Sequence, residues 1–294
     1  MPTLVPNREF RILGSAELSF LKSLLRYRYL SSRQVCRLHF SSGSLTYVQS
    51  KLKRLTDDGF CQRIWVPKRV PHGSSPAVYT LARRGINQLR DEGLEVSQRY
   101  HPSEKQALSY LFLNHTLELN EFLICAELLC RWQPEFHLAA LLHDSELKRR
   151  PVYVVDDDGR RAAVVPDAWL NLRIQGSFQV CLAVELDRGT EEQKKWRRKV
   201  SNLLRYANGP YQETFGTRSL TVAVVTTAGE KRLLELLAWT RAELEAKQEK
   251  SQDDLFLFTS ASPETMNSES MFLLPRWYRV FSETPLALLE NNWA

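Results

Sequence analysis

The stretch SLTYVQSKLKRLTDDGF, residues 44–60, decides how the first third of the chain folds. Leu45, Val48, Leu52 and Leu55 recur at i, i+3, i+7 and i+10, which places them on one buried stripe of a helix. Asp57-Asp58-Gly59 ends that helix. Its other face offers Thr46, Tyr47, Gln49, Ser50, Lys51, Lys53 and Arg54, preceded by Ser44, with no acidic residue before Asp57. Short polar groups near the N-terminus with cations beside them can bond base edges and phosphate oxygens. A helix lying in a major groove needs this arrangement.

Working outward, two shorter helical patterns come first. One starts near Ser15 and carries Leu18, Leu21, Leu24 and Leu25; the other follows Ser31 or Ser32 as N-cap and carries Val35 and Leu38. Downstream, Phe60–Val66 and Ala77–Leu81 read as two strands. The Pro, Gly and Ser content of residues 67–76 makes that segment their connecting loop. Lys68 and Arg69 give the loop the charge of a wing able to reach phosphate. A further helix runs to Asp91. The order predicts a winged helix-turn-helix domain over residues 1–100 that binds double-stranded DNA. Two alternatives are a plain helical bundle whose cations form a solvated face, and a wing that contacts protein.

Charge distribution agrees with the first reading. Residues 1–100 hold 17 Lys and Arg against 7 Asp and Glu, whereas the rest of the 294-residue chain holds 23 against 27. A basic domain joined to a mildly acidic one suits a protein whose first domain meets a polyanion. No apolar run reaches transmembrane length, and residues 1–11 lack the pattern of a signal peptide, so a cytoplasmic protein without membrane partners is expected. The five cysteines form no CxxC pair and the six histidines no HxxH pair, which speaks against a zinc site or disulfide framework.

From Ser103 to about Trp132 a long helix is expected. Leu108, Phe112, His115, Leu119, Phe122, Ala126 and Leu129 form one 3/4 stripe, suited to packing on the next domain or on a second copy of the chain in a homodimer. His115 within this stripe reads first as a hydrogen-bonded core histidine. Residues 101–134 are thus assigned to a connecting or dimerisation helix and residues 135–294 to an α/β domain. In the latter, strands at 152–155, 162–172 and 178–186 precede a helix from Glu191 to Tyr206, with Thr190 and Gln193 offering a capping box. A strand at 219–226, a helix at 230–249 and a strand at 255–259 follow. That order predicts a central mixed sheet.

Two carboxylates lie in or beside apolar strands: Asp167 in VVPDAWL and Glu185 in CLAVELDRG. Such groups either face solvent and pair with a cation, or converge on a divalent metal. Mg²⁺ takes oxygen ligands, and it would activate water and neutralise charge at a scissile phosphate.

Here the sequence resembles known proteins. PD followed by Glu on the next strand resembles the PD-(D/E)XK nuclease-like superfamily. More specifically, LNHTLELNEF (113–122), SELKRRP (145–151), PDAWLNL (166–172) and VELDRGTEEQKKWRRKVSNLLRY (184–206) resemble the plasmid replication-relaxation family. YTLARRG (79–85) similarly resembles the C-terminal half of bacterial winged-helix domains. The resemblance implies a winged helix followed by a restriction-endonuclease-like α/β domain, in a bacterial protein of a plasmid or mobile genetic element. It also implies metal binding by Asp167 and Glu185.

One departure stands out. Where a nuclease has Lys two residues after the Glu, this chain has Asp187. On the following helix Trp196, Val200, Leu203 and Ala207 form the apolar stripe, and Lys199 alone of its lysines faces inward. Lys199 is therefore the candidate for a migrated catalytic lysine, and Glu146 for an additional catalytic carboxylate. The alternative is a structural Asp187–Lys199 ion pair in a domain that has lost catalysis. Two functions follow: a DNA-binding factor of replication, relaxation or transfer whose second domain either nicks DNA with Mg²⁺ or serves as an inactive platform for protein partners, or a non-catalytic transcriptional regulator or assembly subunit. Mg²⁺ is needed only for nicking, and replication, transfer or transposition proteins are the expected partners.

Overall fold

The computed structural model describes residues 12–65, 77–97, 109–176 and 178–289. The chain is a mixture of helix and sheet and divides into two compact units, with the boundary between Leu113 and Asn114.

In the first unit, α1 (Ser15–Tyr27), α2 (Ser32–His39) and α3 (Leu45–Asp57) are followed by β2 (Cys61–Trp65), β3 (Ala77–Leu81) and α4 (Arg83–Asp91). A two-residue strand, β1 (Leu30–Ser31), completes an antiparallel sheet of order β1-β3-β2. Ser31 caps α2 by accepting from Gln34 N–H at 3.2 Å, and Gln34 returns the bond to Ser31 N–H at 3.0 Å, a reciprocal capping box. Val48, Leu52 and Leu55 of α3 are fully buried with Phe20, Leu24 and Val35. Gly59 ends α3 at φ +77°, a conformation that a Cβ disfavours. Gly85 matters for space instead: a Cβ there would lie 2.2 Å from the Phe60 carbonyl oxygen, so α4 can close on the hairpin only without a side chain at this point. The expected wing, residues 67–76 with Lys68 and Arg69, lies outside the described residues.

The second unit holds a central mixed five-stranded sheet of order β10-β9-β8-β7-β4. Its strands are β4 (Phe136–His143), β7 (Ala168–Ile174), β8 (Phe178–Asp187), β9 (Thr221–Thr226) and β10 (Phe256–Ser260). β8, β9 and β10 run parallel, while β7 is antiparallel to both β8 and β4. A separate hairpin, β5 (Val152–Val155) and β6 (Arg161–Val164), packs against the helix α7 (Gln193–Ala207). Trp169, Cys181 and Ala183 of the sheet meet Trp196, Val200 and Leu203 of α7, together with Tyr211 of the short α8 (Pro210–Phe215) and Leu233 and Leu236 of α9 (Glu230–Ala246), in one buried cluster. At the hairpin turn Asp157 accepts from Ser201 Oγ at 2.9 Å, from Lys247 Nζ at 2.6 Å and from Arg205 Nη2, tying the turn to both helices.

Several boundaries differ from the sequence expectation. The single strand expected at 162–172 is two, because Pro166 offers no N–H to a ladder and the chain leaves the hairpin there to enter the main sheet. β4 was not expected at all. It is an edge strand with a register shift between Leu138 and Ala140, and its burial lacks clean alternation. No capping box forms at Thr190. The helix begins at Gln193 after Glu192, without a side-chain cap. The second long helix ends at Ala246 rather than Glu249, and Leu255 belongs to a 3₁₀ turn before β10.

The expected connecting helix is described from Tyr110 to Trp132 and is labelled α5. Phe122 to Leu129 are buried on every side, Phe122 stacking on Phe272 at 5.2 Å. This stretch uses its apolar side chains within the chain. Among the described residues no helix is long and apolar enough to cross a membrane.

Candidate functional site

Two groups of residues are candidates, and they are built differently. The first is the outer face of α3. Thr46, Tyr47, Gln49, Ser50, Lys53 and Arg54 are exposed, and Ser44 is half-buried just before the helix. Lys51 is only half-exposed, unlike its neighbours Ser50 and Lys53. Its ammonium turns back onto buried Glu17, Nζ to Oε1 3.3 Å, while Glu17 Oε2 accepts the Gly14 N–H at 3.1 Å. Lys53 pairs with Asp57 at 2.7 Å across one helical turn, and both side chains are largely exposed. Sequence reading passed over Arg63 and Trp65, which alternate outward on β2; the Arg63 guanidinium lies 3.9 Å from the Trp65 ring centre and the indole is 57% exposed. Period-two alternation in CQRIW was the signal that could have found them.

The second candidate is a cavity of about 140 Å³ in the α/β unit, lined by Asp167, Glu185, Lys199, His115 and Arg188 among others. Strand pleating puts Glu185 and Asp187 on one face of β8, the face that α7 covers. Asp167 stands just before β7. Its own N–H bonds the Val184 carbonyl at 3.0 Å, and its Oδ2 accepts the Leu186 N–H at 2.8 Å. The ladder between β7 and β8 therefore ends in a side chain, and this brings the Asp167 carboxylate beside Glu185. Lys199 reaches in from α7 and donates to Glu185 Oε2 at 3.0 Å, with Glu191 at 3.9 Å.

Three of the four expected catalytic residues thus share one cavity. Glu146 does not line it. It occupies the third position of a one-turn helix, α6 (Asp144–Leu147), and accepts the His143 N–H at 3.2 Å, so a capping task explains it. The expected Asp187–Lys199 pair does not form. Asp187 is bonded twice by Arg232, Nε–Oδ2 and Nη2–Oδ1 both at 2.9 Å, and also accepts from Gly189 N–H and Thr226 Oγ. Distance in sequence hid this partner, which lies 45 residues away.

The residue that sequence reading undervalued is His115. Its Nε2 lies 3.3 Å from Asp167 Oδ2 and 3.2 Å from the Leu186 carbonyl oxygen. One turn on, Glu118 accepts from Arg188 Nε at 2.9 Å and from Thr227 Oγ at 2.6 Å, holding α5 to the ends of β8 and β9. The pairing of His115 with Glu118 at i, i+3 in LNHTLELNEF was the available clue, since both fall on one helix face.

The charges in the cavity are strongly coupled. Burial opposes a charge on His115, yet the hydrogen bond and negative charge of Asp167 outweigh it and raise the imidazole above its ordinary value. Burial would lift the Asp167 carboxyl, but His115, Lys199 and the Leu186 N–H hold it below the usual range. Glu185 is pushed up to about 7 by burial, against the pull of Lys199 and with the help of Asp167. The charge of Glu185, foremost, keeps Lys199 above its ordinary value despite burial. Such perturbed groups gathered in one cleft are what chemistry requires, and buried ion networks produce them as well.

Among the described residues no three His, Cys, Asp or Glu side chains stand as a ready-made metal site. The donor chemistry nevertheless suits a divalent cation: two carboxylates, a backbone carbonyl and an imidazole nitrogen border the same space.

Residues 21–249 match the replication-relaxation family, and the chain belongs to it. Membership suggests a role in plasmid replication or relaxation. Searches of curated proteins and of solved structures returned no match.

Proposed function

We propose that this protein is a DNA-binding factor of plasmid replication or relaxation, with a winged helix as its duplex-binding unit. The observation that carries the reading is the outer face of α3, where six polar or cationic side chains from Thr46 to Arg54 are exposed while Val48, Leu52 and Leu55 are buried. Three helices followed by a hairpin are the elements of that domain. Family membership supplies the DNA context. Arg54 and Lys53 would contact phosphate, and Gln49 and Ser50 base edges.

The test is fluorescence anisotropy on the full chain with labelled duplex. The Gln49→Ala/Arg54→Ala double variant is expected to lose at least about tenfold in affinity, as removal of two groove contacts would cause. Equal binding by parent and variant overturns the reading.

A second reading is favoured by the shared cavity of Asp167, Glu185 and Lys199: the α/β unit is a restriction-endonuclease-like domain that nicks DNA. Asp167 and Glu185 would hold a divalent cation, Mg²⁺ in the simplest case. That ion supplies Lewis acidity and a more acidic bound water. Lys199 places a fixed positive charge beside Glu185, suited to an incoming phosphate, and the apolar wall of Trp196 keeps the lysine oriented. Supercoiled DNA with Mg²⁺ or Mn²⁺ tests this. Nicking lost in Asp167→Ala and Glu185→Ala supports it; nicking indifferent to both removes them from catalysis, and the protein is then a binding and assembly factor.

A further inference from the structure

We propose that the outward face of the β5–β6 hairpin, together with Arg149 and Arg150 just before β5, binds an unpaired DNA strand. Base faces lie on Tyr153 and Val155, and the arginines hold phosphates. The inference adds a second DNA-binding surface to the one on α3 and does not depend on metal-assisted nicking.

The hairpin has two faces of opposite character. Val152, Val154 and Val164 join the buried cluster that contains Trp196 and Val200, and Ala162 packs against it. The register sets Tyr153 opposite Ala163 and Val155 opposite Arg161, so these four share the other face, and all four are exposed. Val155 is 60% exposed and Tyr153 42%. The Arg161 guanidinium lies 3.8 Å from the Tyr153 ring centre, a cation–π contact across the strands that orients the ring. β5 and β6 form a two-stranded sheet of their own.

Charge on this segment runs against that of its surroundings. Residues 148–163 hold five Lys and Arg against three Asp, whereas residues 101–294 hold 23 against 27 acidic groups. The three aspartates are already engaged within the fold. Asp157 pairs with Arg205 and Lys247. Asp156 Oδ1 turns back onto the N–H groups of Asp158 and Arg160 at 3.0 and 2.8 Å, and Asp158 lies 3.9 Å from the Arg160 guanidinium. Arg149, Arg150 and Arg161, by contrast, are exposed and have no carboxylate partner among the described residues.

The mixture of side chains selects the occupant. Cations alone suit the phosphates of any nucleic acid. A duplex keeps its base faces in the stack and shows only edges and backbone, so it has nothing to lay on a tyrosine ring beside an exposed valine. An unpaired strand offers both, because every base has a flat face that stacks on an aromatic ring while the backbone follows nearby cations. Strands of four residues span roughly 13 Å, the length of about four stacked nucleotides. Unpaired DNA is present wherever a duplex is opened for replication, the process that family membership suggests.

The experiment measures fluorescence anisotropy of the full chain with a labelled oligothymidine of about 12 nucleotides, which forms no duplex with itself. Tyr153→Ala is expected to lose about tenfold in affinity, whereas Tyr153→Phe, which keeps the ring, stays near the parent. Arg149→Ala/Arg150→Ala should lower the salt slope by about 1.4, at about 0.7 per phosphate of a single strand. The substituted side chains are exposed, so melting temperatures should stay close to the parent's, and duplex affinity should be kept. A parent that does not bind oligothymidine, or binding indifferent to both Tyr153→Ala and the double arginine variant, overturns the proposal. Equal losses in Tyr153→Ala and Tyr153→Phe overturn it as well. Oligothymidine binding lost in Gln49→Ala/Arg54→Ala but kept in the hairpin variants places the strand on α3 and has the same consequence. The duplex affinity of that α3 variant is a separate measurement, so the two surfaces stand or fall independently.

Discussion

The α3 face and the α/β cavity handle charge in opposite ways. On α3 the Lys53 and Asp57 side chains are 70% and 58% exposed, whereas Glu185 in the cavity is 4% exposed and its partner Lys199 36%. An exposed cation costs the fold little and acts on a partner at a distance, through a field that salt screens. A buried charge loses hydration worth several kcal/mol and persists only where opposite charge and hydrogen bonds are matched to it. Replacing a residue on the first surface should therefore change binding and leave stability intact. Replacing one in the second should do the reverse unless the group is also chemical.

The largest effect expected from this contrast lies beside the cavity, at Arg232. Its guanidinium and Asp187 have side chains 9% and 4% exposed and are joined by two hydrogen bonds. Arg232→Ala strands the carboxylate in the interior, and breaking a buried pair in this way costs about 3–5 kcal/mol. Chemical denaturation should show that loss, with a lower midpoint. A loss below about 1 kcal/mol would mean that water reaches Asp187 freely, and the sharp distinction between the two sites would fail.

The same contrast explains what the sequence made legible. The helix at 45–57 was readable to within a residue at each end because its burial follows one stripe, although Leu45, at the first position of that stripe, is only half-buried. Lys199 was readable for a related reason: the apolar stripe of Trp196, Val200 and Leu203 fixes which lysine turns inward. Asp167, Glu185 and Lys199 consequently came together as expected. Partners supplied by another element were not readable. Nothing local to Asp187 indicates Arg232, nor does anything near Lys51 indicate Glu17, and Glu146 looked chemical until its helix cap was visible. His115 sat in an apolar stripe that equally describes a core residue. β4 escaped because an edge strand with a shifted register loses the alternation that would reveal it.

A smaller effect separates two lysines that the sequence treats alike. Lys53→Ala should lower the salt dependence of duplex affinity by about one unit of slope, the signature of one phosphate contact. Lys51→Ala should change that slope less, because buried Glu17 holds its ammonium at 3.3 Å with little screening, whereas the Lys53–Asp57 pair is exposed and screened by solvent. Glu17→Gln provides the converse: Lys51 is released and the slope steepens. Equal slopes for the two lysine variants would show that Lys51 abandons Glu17 on binding, and the α3 face would then carry one more cation than the free protein displays.

The smallest effect concerns Asp157, an exposed group that nevertheless joins three elements. Hydrogen bonds from Arg205 and Lys247 lead in holding its carboxyl below the ordinary range; burial opposes them weakly, and Ser201 adds to them. A depressed carboxyl contributes stability that is present above the unfolded-state value near 3.8 and is lost as pH falls through the folded-state value. The hairpin turn should therefore loosen from α7 and α9 only in strong acid, and neutral pH should show the full contribution. Because the carboxylate side chain is 53% exposed, solvent screens much of the attraction and the contribution to global stability is small. Asp157→Asn should remove the acid-dependent part, so that parent and variant melt further apart at pH 7 than at pH 2. Hydrogen exchange along Val152–Val155 and Arg161–Val164 localises the change to the hairpin. A constant gap between the two melting curves across that range would mean that Arg205 and Lys247 contribute through packing of their stems rather than through charge.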